Sequence, residues 1–320
     1  MKYNLKSFLV IAILSIAISS CGQKTGDKFP EQLQTSKTKG HVNIPGTKVF
    51  ALIPSSYKHM KELVRFQKND DLYIQVIASE GSSFTEGKKN FSREAIEAKG
   101  ATVDILDNTK LNQYEAIYCE GPSKNPDELK LMLIFGDESF VVVAIGVCKK
   151  SDIAGKKELQ DILKSLYYDK SLVSDPLELA NFEFDSSITG FQHAGTISNS
   201  FVYSKNGKAD LNNATANMLQ FQALPKVTKE KLEELSNEVI RRYEQNGIQL
   251  NTTNITKTKI NNYPAWVLFT KISYKNKEGI LYQAALLGDN SSLLFIGCAY
   301  EDLTDFEAKF KKTVETIKLK

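Results

Sequence analysis

Cys21 is the one residue of this sequence to which a chemical event is assigned. It follows the apolar run Phe8 to Ile18 and two small polar residues, Ser19 and Ser20, and Lys2 and Lys6 precede the run. The run is too short to cross a bilayer, which takes about 20 apolar residues for roughly 30 Å of hydrocarbon. A basic start, a short apolar core and small residues before a break are the parts of a secretory signal peptide. The other chemistry-capable side chains do not assemble by spacing. His41, His59 and His193 are isolated, and none has a second His or a Cys at metal-ligand distance along the chain. There is no Gly-x-Ser-x-Gly elbow and no glycine-rich phosphate loop. Cys148 and Cys298 sit late in apolar, strand-like runs, where burial disfavours a thiolate. The adjacent carboxylates Asp70-Asp71 and Asp137-Glu138 fall at turns and read as solvated. No catalytic, cofactor-binding or metal residue is assigned, and no cofactor is expected.

The stretch Ile18-Ser19-Ser20-Cys21 resembles the lipobox of bacterial lipoproteins. The resemblance implies that the Cys21 thiol receives a diacylglycerol, that a lipoprotein signal peptidase cuts between Ser20 and Cys21, and that the new amine is often acylated too. Two or three acyl chains make a stable membrane anchor, whereas one is marginal. Residue 22 is Gly rather than Asp, and by the sorting rule of enteric bacteria this favours the outer membrane, facing the periplasm. An ordinary cleaved signal with an incidental Cys, or an uncleaved anchor, are the other readings of the same stretch.

Residues 21–40 are polar and poor in large apolar groups, which suits a flexible tether. About 19 coil residues span roughly 25 Å root-mean-square. Cleavage before Cys21 leaves 300 of the 320 residues, a length that suits two domains of about 150. Loss of Lys2 and Lys6 reduces 41 basic residues to 39, against 38 acidic ones, a net charge near +1. That balance, with no basic stripe interleaved by aromatics, gives no support to nucleic-acid binding. Cys119, Cys148 and Cys298 form an odd set in an exported chain, so at least one stays free or pairs between chains. All three lie in apolar runs and are expected as small core residues rather than disulfide partners.

The elements follow a repeated order. In residues 41–168 a strand is expected from His41 to Ile53 and another from Leu72 to Ala78. A helix from Phe84 to Lys99 follows, with a capping box at Ser83 and Glu86 and Gly100 at its end. Strands Tyr114 to Glu120, Leu129 to Phe135 and Phe140 to Cys148 come next, then a helix from Ile153 to Tyr167. Residues 169–180 read as a linker. In residues 181–320 strands are expected from Phe182 to Tyr203 and Ala216 to Gln222, then a helix from Lys229 to Gln245 closed by Gly247. Strands Ala265 to Tyr274, Ile280 to Leu287 and Leu293 to Tyr300 follow, and a helix from Asp305 to Leu319 carries a capping box at Thr304 and Glu307.

The two halves also match residue by residue. Ala98-Lys99-Gly100 precedes Gln245-Asn246-Gly247 by 147 positions, and Asn112-Gln113-Tyr114 precedes Asn261-Asn262-Tyr263 by 149. Gly136-Asp137 precedes Gly288-Asp289 by 152, and Gly146 precedes Gly297 by 151. A nearly constant offset, with a shared order of helix, three strands and helix, points to an internal duplication. Turns this short require antiparallel strands, and helices must cover the apolar sheet faces.

Each half resembles the PsbP-like fold of the photosystem II oxygen-evolving accessory protein and of DcrB-like bacterial lipoproteins. The features that carry this are the helices ending at Gly100 and Gly247, the Tyr-x-Ala strand starts at Tyr114 and Tyr263, the Gly-Asp hairpins and the C-terminal helices. The resemblance implies an α+β chain of two similar α/β/α sandwiches with antiparallel sheets, and a non-enzymatic accessory or binding role. The expected function is therefore a lipid-anchored envelope protein with a protein partner, attached to the membrane through Cys21. Two other readings stay open: an envelope hydrolase assembled from distant residues, for which His59 and His193 are the ones to inspect, and a carrier of a hydrophobic small molecule. Phe182, Phe184, Phe191, Phe201 and Tyr203 read as core filling, and Arg241-Arg242 as a solvated helix face.

Overall fold

The computed structural model describes residues 28–98, 100–123, 125–175, 177–207 and 215–320. Ser20 and Cys21 lie outside these residues. The chain divides into two compact units between Glu178 and Leu179. The fold is α+β and built mostly of antiparallel sheets. Among the described residues no helix is long and apolar enough to cross a membrane.

The main sheet of the first unit has seven strands. Across the sheet they run Lys58–Met60, Arg65–Asn69, Leu72–Glu80, Phe140–Lys149, Glu128–Asp137, Tyr114–Pro122 and Ile105–Leu111, every neighbour antiparallel. Side chains alternate between faces along each strand. Ile74, Val76, Leu131, Leu133, Val142 and Ala144 point to one face and pack with Leu159, Ile162 and Leu163 of the helix Ile153–Lys164. Ile117, Cys119, Met132, Ile134, Ile145 and Val147 point to the other, under Phe84, Phe91 and Ile96. Both faces are apolar, so the central strands read as nearly continuous hydrophobic runs, Leu131 to Phe135 above all.

The expected single helix from Phe84 to Lys99 is three short pieces: Phe84–Lys88, a 3-10 turn Lys89–Phe91, and Arg93–Glu97. Ser83 caps the first as anticipated, its hydroxyl accepting from the Glu86 N–H. Ser92 interrupts the run at ψ 155° and caps a new helix, accepting from the Ala95 N–H. A second good N-cap residue inside a helical pattern offers the backbone a way out of the helix. Gly100 has φ +77°, the left-handed conformation expected of a helix end.

The expected strand from His41 to Ile53 is a hairpin, Val42–Asn43 against Val49–Ala51, turning at Gly46 with φ +73°. Tyr167–Tyr168 adds a third strand to it. The expected elements do not include the polar edge strands Lys58–Met60 and Ile105–Leu111, nor Arg65–Asn69 beside the first of them. Residues 21–40 do not form a free tether throughout. From Phe29 to Thr35 the chain is docked on the first unit, with Phe29 and Leu33 buried and Leu33 bridging Leu111 in parallel.

The second unit has an eight-stranded sheet. Its order is Gln192–Ile197, Ser200–Ser204, Met218–Pro225, Ser291–Ala299, Lys277–Leu287, Tyr263–Tyr274 and Gln249–Leu250, with Thr256–Ile260 also pairing Tyr263–Tyr274. The expected strand Phe182 to Tyr203 is broken into Phe182–Glu183, a 3-10 turn Ser186–Ile188, Gln192–Ile197 and Ser200–Ser204. The helix Lys229–Gln245 covers one face through Leu232 and Ile240, capped by Thr228 and closed by Gly247 at φ +80°. The last helix, Leu303–Glu315, starts before Thr304, so the Thr304–Glu307 box does not form; Asp302, at φ +51°, is the cap position and makes no side-chain cap bond.

Apart from the short Gln249–Leu250 strand, both main sheets have the spatial order 1-2-3-7-6-5-4 when strands are numbered along the chain. In both, helical structure follows the third strand and a helix follows the seventh. The glycine of each seventh strand lies under that last helix. A Cβ on Gly146 would sit 3.1 Å from Leu159, and one on Gly297 would sit 2.7 Å from Phe310. The two glycines and the two helix residues are each 151 positions apart.

Candidate functional site

Each sequence-level candidate within the described residues is held by the fold in its own place. Cys119, Cys148 and Cys298 are free and buried. Burial pushes the Cys119 and Cys298 thiols up to about 12 and the Cys148 thiol up to about 11. A thiol so far above its ordinary value is neutral at pH 7 and a poor nucleophile.

The histidines do not converge. His41 sits between Thr38 and the Ser165 carbonyl, with its Nε2 3.0 Å from that oxygen. His59 lies against Phe66, ring centroids 4.9 Å apart. His193 Nε2 is 2.8 Å from the Thr196 hydroxyl, a contact between residues of one strand. The adjacent carboxylates diverge as well. Asp71 pairs with Lys149 at 2.7 Å, and Asp70 approaches Arg65 at 3.8 Å. Asp137 accepts from Ser139 and Lys170, whereas Glu138 accepts from Ser83 and Thr85 at the start of the helix Phe84–Lys88. These hydroxyl bonds hold the Glu138 carboxyl below its ordinary range. Among the described residues no group of three His, Cys, Asp or Glu is placed to hold a metal ion.

The second-unit aromatics fill a core. Phe182 stacks on Phe221 at 4.7 Å and meets Phe201 edge-on at 5.3 Å, and Phe184 meets Tyr203 edge-on at 5.0 Å. Phe191 packs beside Phe306. Arg242 pairs with Glu238 one turn away on the exposed helix face. In the first unit, Ile96, Val103, Cys119 and Met132 border a partly open recess of about 20 Å³, room for about one water.

Two arrangements were not anticipated. The first is a buried polar cluster on the helix-covered face of the first sheet. Glu120, 5% exposed, accepts from the Tyr118 hydroxyl at 2.9 Å and from Lys156. Gln160 donates to the Tyr118 oxygen at 3.4 Å. Tyr118 and Glu120 are two apart on a strand, and Lys156 and Gln160 four apart on a helix, so each pair shares a face. The available signal was Glu120 inside the apolar run that follows the exposed Glu115 of the same strand. The cluster is closed: the carboxylate has its cation and its hydroxyl donor, and its chemistry is that of a structural ion pair.

The second is the docked N-terminal segment. Phe29 lies flat on Tyr118 of that cluster, ring centroids 3.8 Å apart and planes at 6°. The Leu33 N–H donates to the Lys110 carbonyl at 2.8 Å, and the Asn112 N–H donates to the Leu33 carbonyl at 2.8 Å. The segment thus makes a parallel β-bridge, Leu33 with Leu111, at the edge Ile105–Leu111. The sequence signal was Phe29 and Leu33 themselves, isolated apolar residues in a polar stretch.

No protein-family model and no curated protein sequence matches the chain. Solved structures with some likeness include a Bacteroides thetaiotaomicron protein, at 11% identity over 79% of this chain and 89% of that one, TM-score 0.31. The Pseudomonas aeruginosa T6SS immunity protein TplEi, complexed with a peptide, is similar at 9% identity over 88% and 99%, TM-score 0.28. The Tle4–Tli4 complex is similar at 8% identity over 89% and 99%, TM-score 0.29. Scores this low carry no functional argument.

Proposed function

We propose that the chain is a lipid-anchored cell-envelope protein whose two units form a non-catalytic binding module for a protein partner. The observation that carries this reading is the register of Lys2 and Lys6, the apolar run Phe8 to Ile18, the two serines and Cys21. Cleavage before Cys21 and acylation of its thiol attach the mature chain to the bilayer, with the periplasmic face of the outer membrane favoured by Gly22. The two units arise from an internal duplication of a PsbP-like sandwich. The common strand order and the paired packing of Gly146 on Leu159 and Gly297 on Phe310 support that origin.

A binding role fits the state of the reactive groups. The thiols are buried and neutral, each histidine has its own local partner, and the buried Glu120 carboxylate is paired with Lys156. Crosslinking in native membranes, followed by mass spectrometry of the adducts, tests the binding half of the proposal. The expected result is one stable protein partner recovered with the wild-type chain and not with an unrelated lipoprotein control. Recovery of no such partner contradicts it.

A further inference from the structure

The docked segment fixes how far the first unit can stand from its anchor. Phe29 is 3% exposed. Its N–H donates to the Asp107 carboxylate at 3.1 Å, and Thr109 Oγ1 donates to the Pro30 carbonyl at 2.6 Å. Further along, the Thr35 N–H donates to Asn112 Oδ1 at 2.8 Å, and Thr35 Oγ1 donates to the Leu166 carbonyl at 2.8 Å. The chain is therefore held from Phe29 onward by backbone pairing, side-chain bonds and a buried ring together. From Cys21 to Phe29 there are eight Cα steps, which reach at most about 26–29 Å fully extended and about 16 Å root-mean-square as coil. A leash that ran free to residue 41 would reach roughly 70 Å.

We infer that the edge Ile105–Leu111, with Phe29–Thr35 laid along it, is the membrane-proximal side of the first unit and faces the lipid surface. The inference rests on the reading that Cys21 carries the lipid. The opposite edge strand, Lys58–Met60, lies six strand spacings away across the sheet, about 29 Å at ~4.8 Å each. It is the side turned from the bilayer. The charges beside the docked segment are mixed: Lys28 pairs with Glu31, and Lys110 lies near Asp107 in sequence. Proximity therefore comes from the short leash and not from attraction to anionic head groups, and it is independent of salt.

Energy transfer to a head-group acceptor tests this. Full-length lipidated protein is placed in phosphatidylcholine vesicles containing a rhodamine head-group lipid. A donor dye is attached at Lys110→Cys or at Lys58→Cys, the three buried native thiols remaining unlabelled under native conditions. Transfer is expected to be severalfold stronger from position 110 than from position 58, and unchanged in phosphatidylglycerol or in high salt. A Gly-Ser insertion between Gly26 and Asp27, which lengthens the leash between Cys21 and Phe29, is expected to lower transfer at 110. Phe29→Ala, which frees the start of the segment, acts in the same direction. Protein that floats with the vesicles yet gives equal transfer at both sites, or transfer unmoved by the insertion, overturns this inference alone. Protein that fails to float because Cys21 bears no lipid overturns the anchor reading and this inference with it.

Discussion

The ring of Phe29 lies on the ring of Tyr118, 3.8 Å away and nearly parallel to it. The contact joins the N-terminal segment to the Tyr118–Glu120–Lys156 cluster of the first unit. A stretch that composition presents as leash is in part docked on the domain.

Removing that ring has a cost. Phe29→Ala leaves a void over Tyr118 and is expected to destabilise the first unit by about 2–4 kcal/mol, in the range of buried Phe truncations. Urea unfolding followed by the fluorescence of an introduced donor or by circular dichroism measures it. A change below about 0.5 kcal/mol would mean the segment is only loosely laid on the sheet.

The two glycines under the last helices are expected to differ. Gly297→Ala forces its Cβ to 2.7 Å from the Phe310 ring, whereas Gly146→Ala meets Leu159 at 3.1 Å. Leucine can shift by a few tenths of an ångström, and a ring wedged among other rings cannot. Gly297→Ala should cost about 1–3 kcal/mol as an overpacked site, and Gly146→Ala less. Equal losses in Tm would remove the packing explanation.

Ser236 is fully buried in the helix Lys229–Gln245, and its hydroxyl has no hydrogen-bond partner; the Oε1 of the neighbouring buried Gln283 has none either. Gln283 donates through Nε2 to the Ser236 carbonyl at 3.1 Å. Ser236→Ala deletes an orphan hydroxyl and improves helix propensity. It is expected to stabilise the second unit by about 0.5–1.5 kcal/mol, and loss of stability in thermal unfolding would show that the hydroxyl is satisfied in solution.

The thiols give a pH dependence of definite sign. Folding raises all three above their ordinary value, to about 11 for Cys148 and about 12 for Cys119 and Cys298. The unfolded chain ionises first, near 8.5. The stability contribution is complete below that pH and is lost as pH rises from about 8.5 towards 11–12. Urea midpoints should fall between pH 7.5 and pH 10, and a thiol reagent at pH 8 should modify none of the three until the protein unfolds. Rapid modification of native protein would contradict the burial.

The central strands and the three long helices were legible because their apolar residues recur at clean periods, as in Leu131 to Phe135 and in Leu159, Ile162 and Leu163. The Gly100 and Gly247 helix ends were legible because left-handed backbone selects glycine. The edge strands were not: Ile105–Leu111 pairs on one side through polar residues such as Asn108 and Lys110, and no apolar alternation marks it. Ser92 broke a helix that its neighbours' periodicity favoured, since a cap and an interior position look alike until the backbone is placed. Phe29 and Leu33 were present in the sequence, but two apolar residues in a polar stretch carry no period. Among the candidate sites, His41, His59 and His193 each have their own local partners, whereas the Glu120–Lys156 pair needed a strand and a helix to be brought together.

The lipid on Cys21 is the claim from which the rest of the functional account follows. It is tested most directly by the mass of the N-terminal peptide of the mature protein isolated from its native membrane. The account predicts a chain that begins at Cys21, with a diacylglyceryl group on the thiol and with or without an acyl group on the amine. A mature chain that begins at another residue, or a Cys21 with an unmodified thiol, would contradict it.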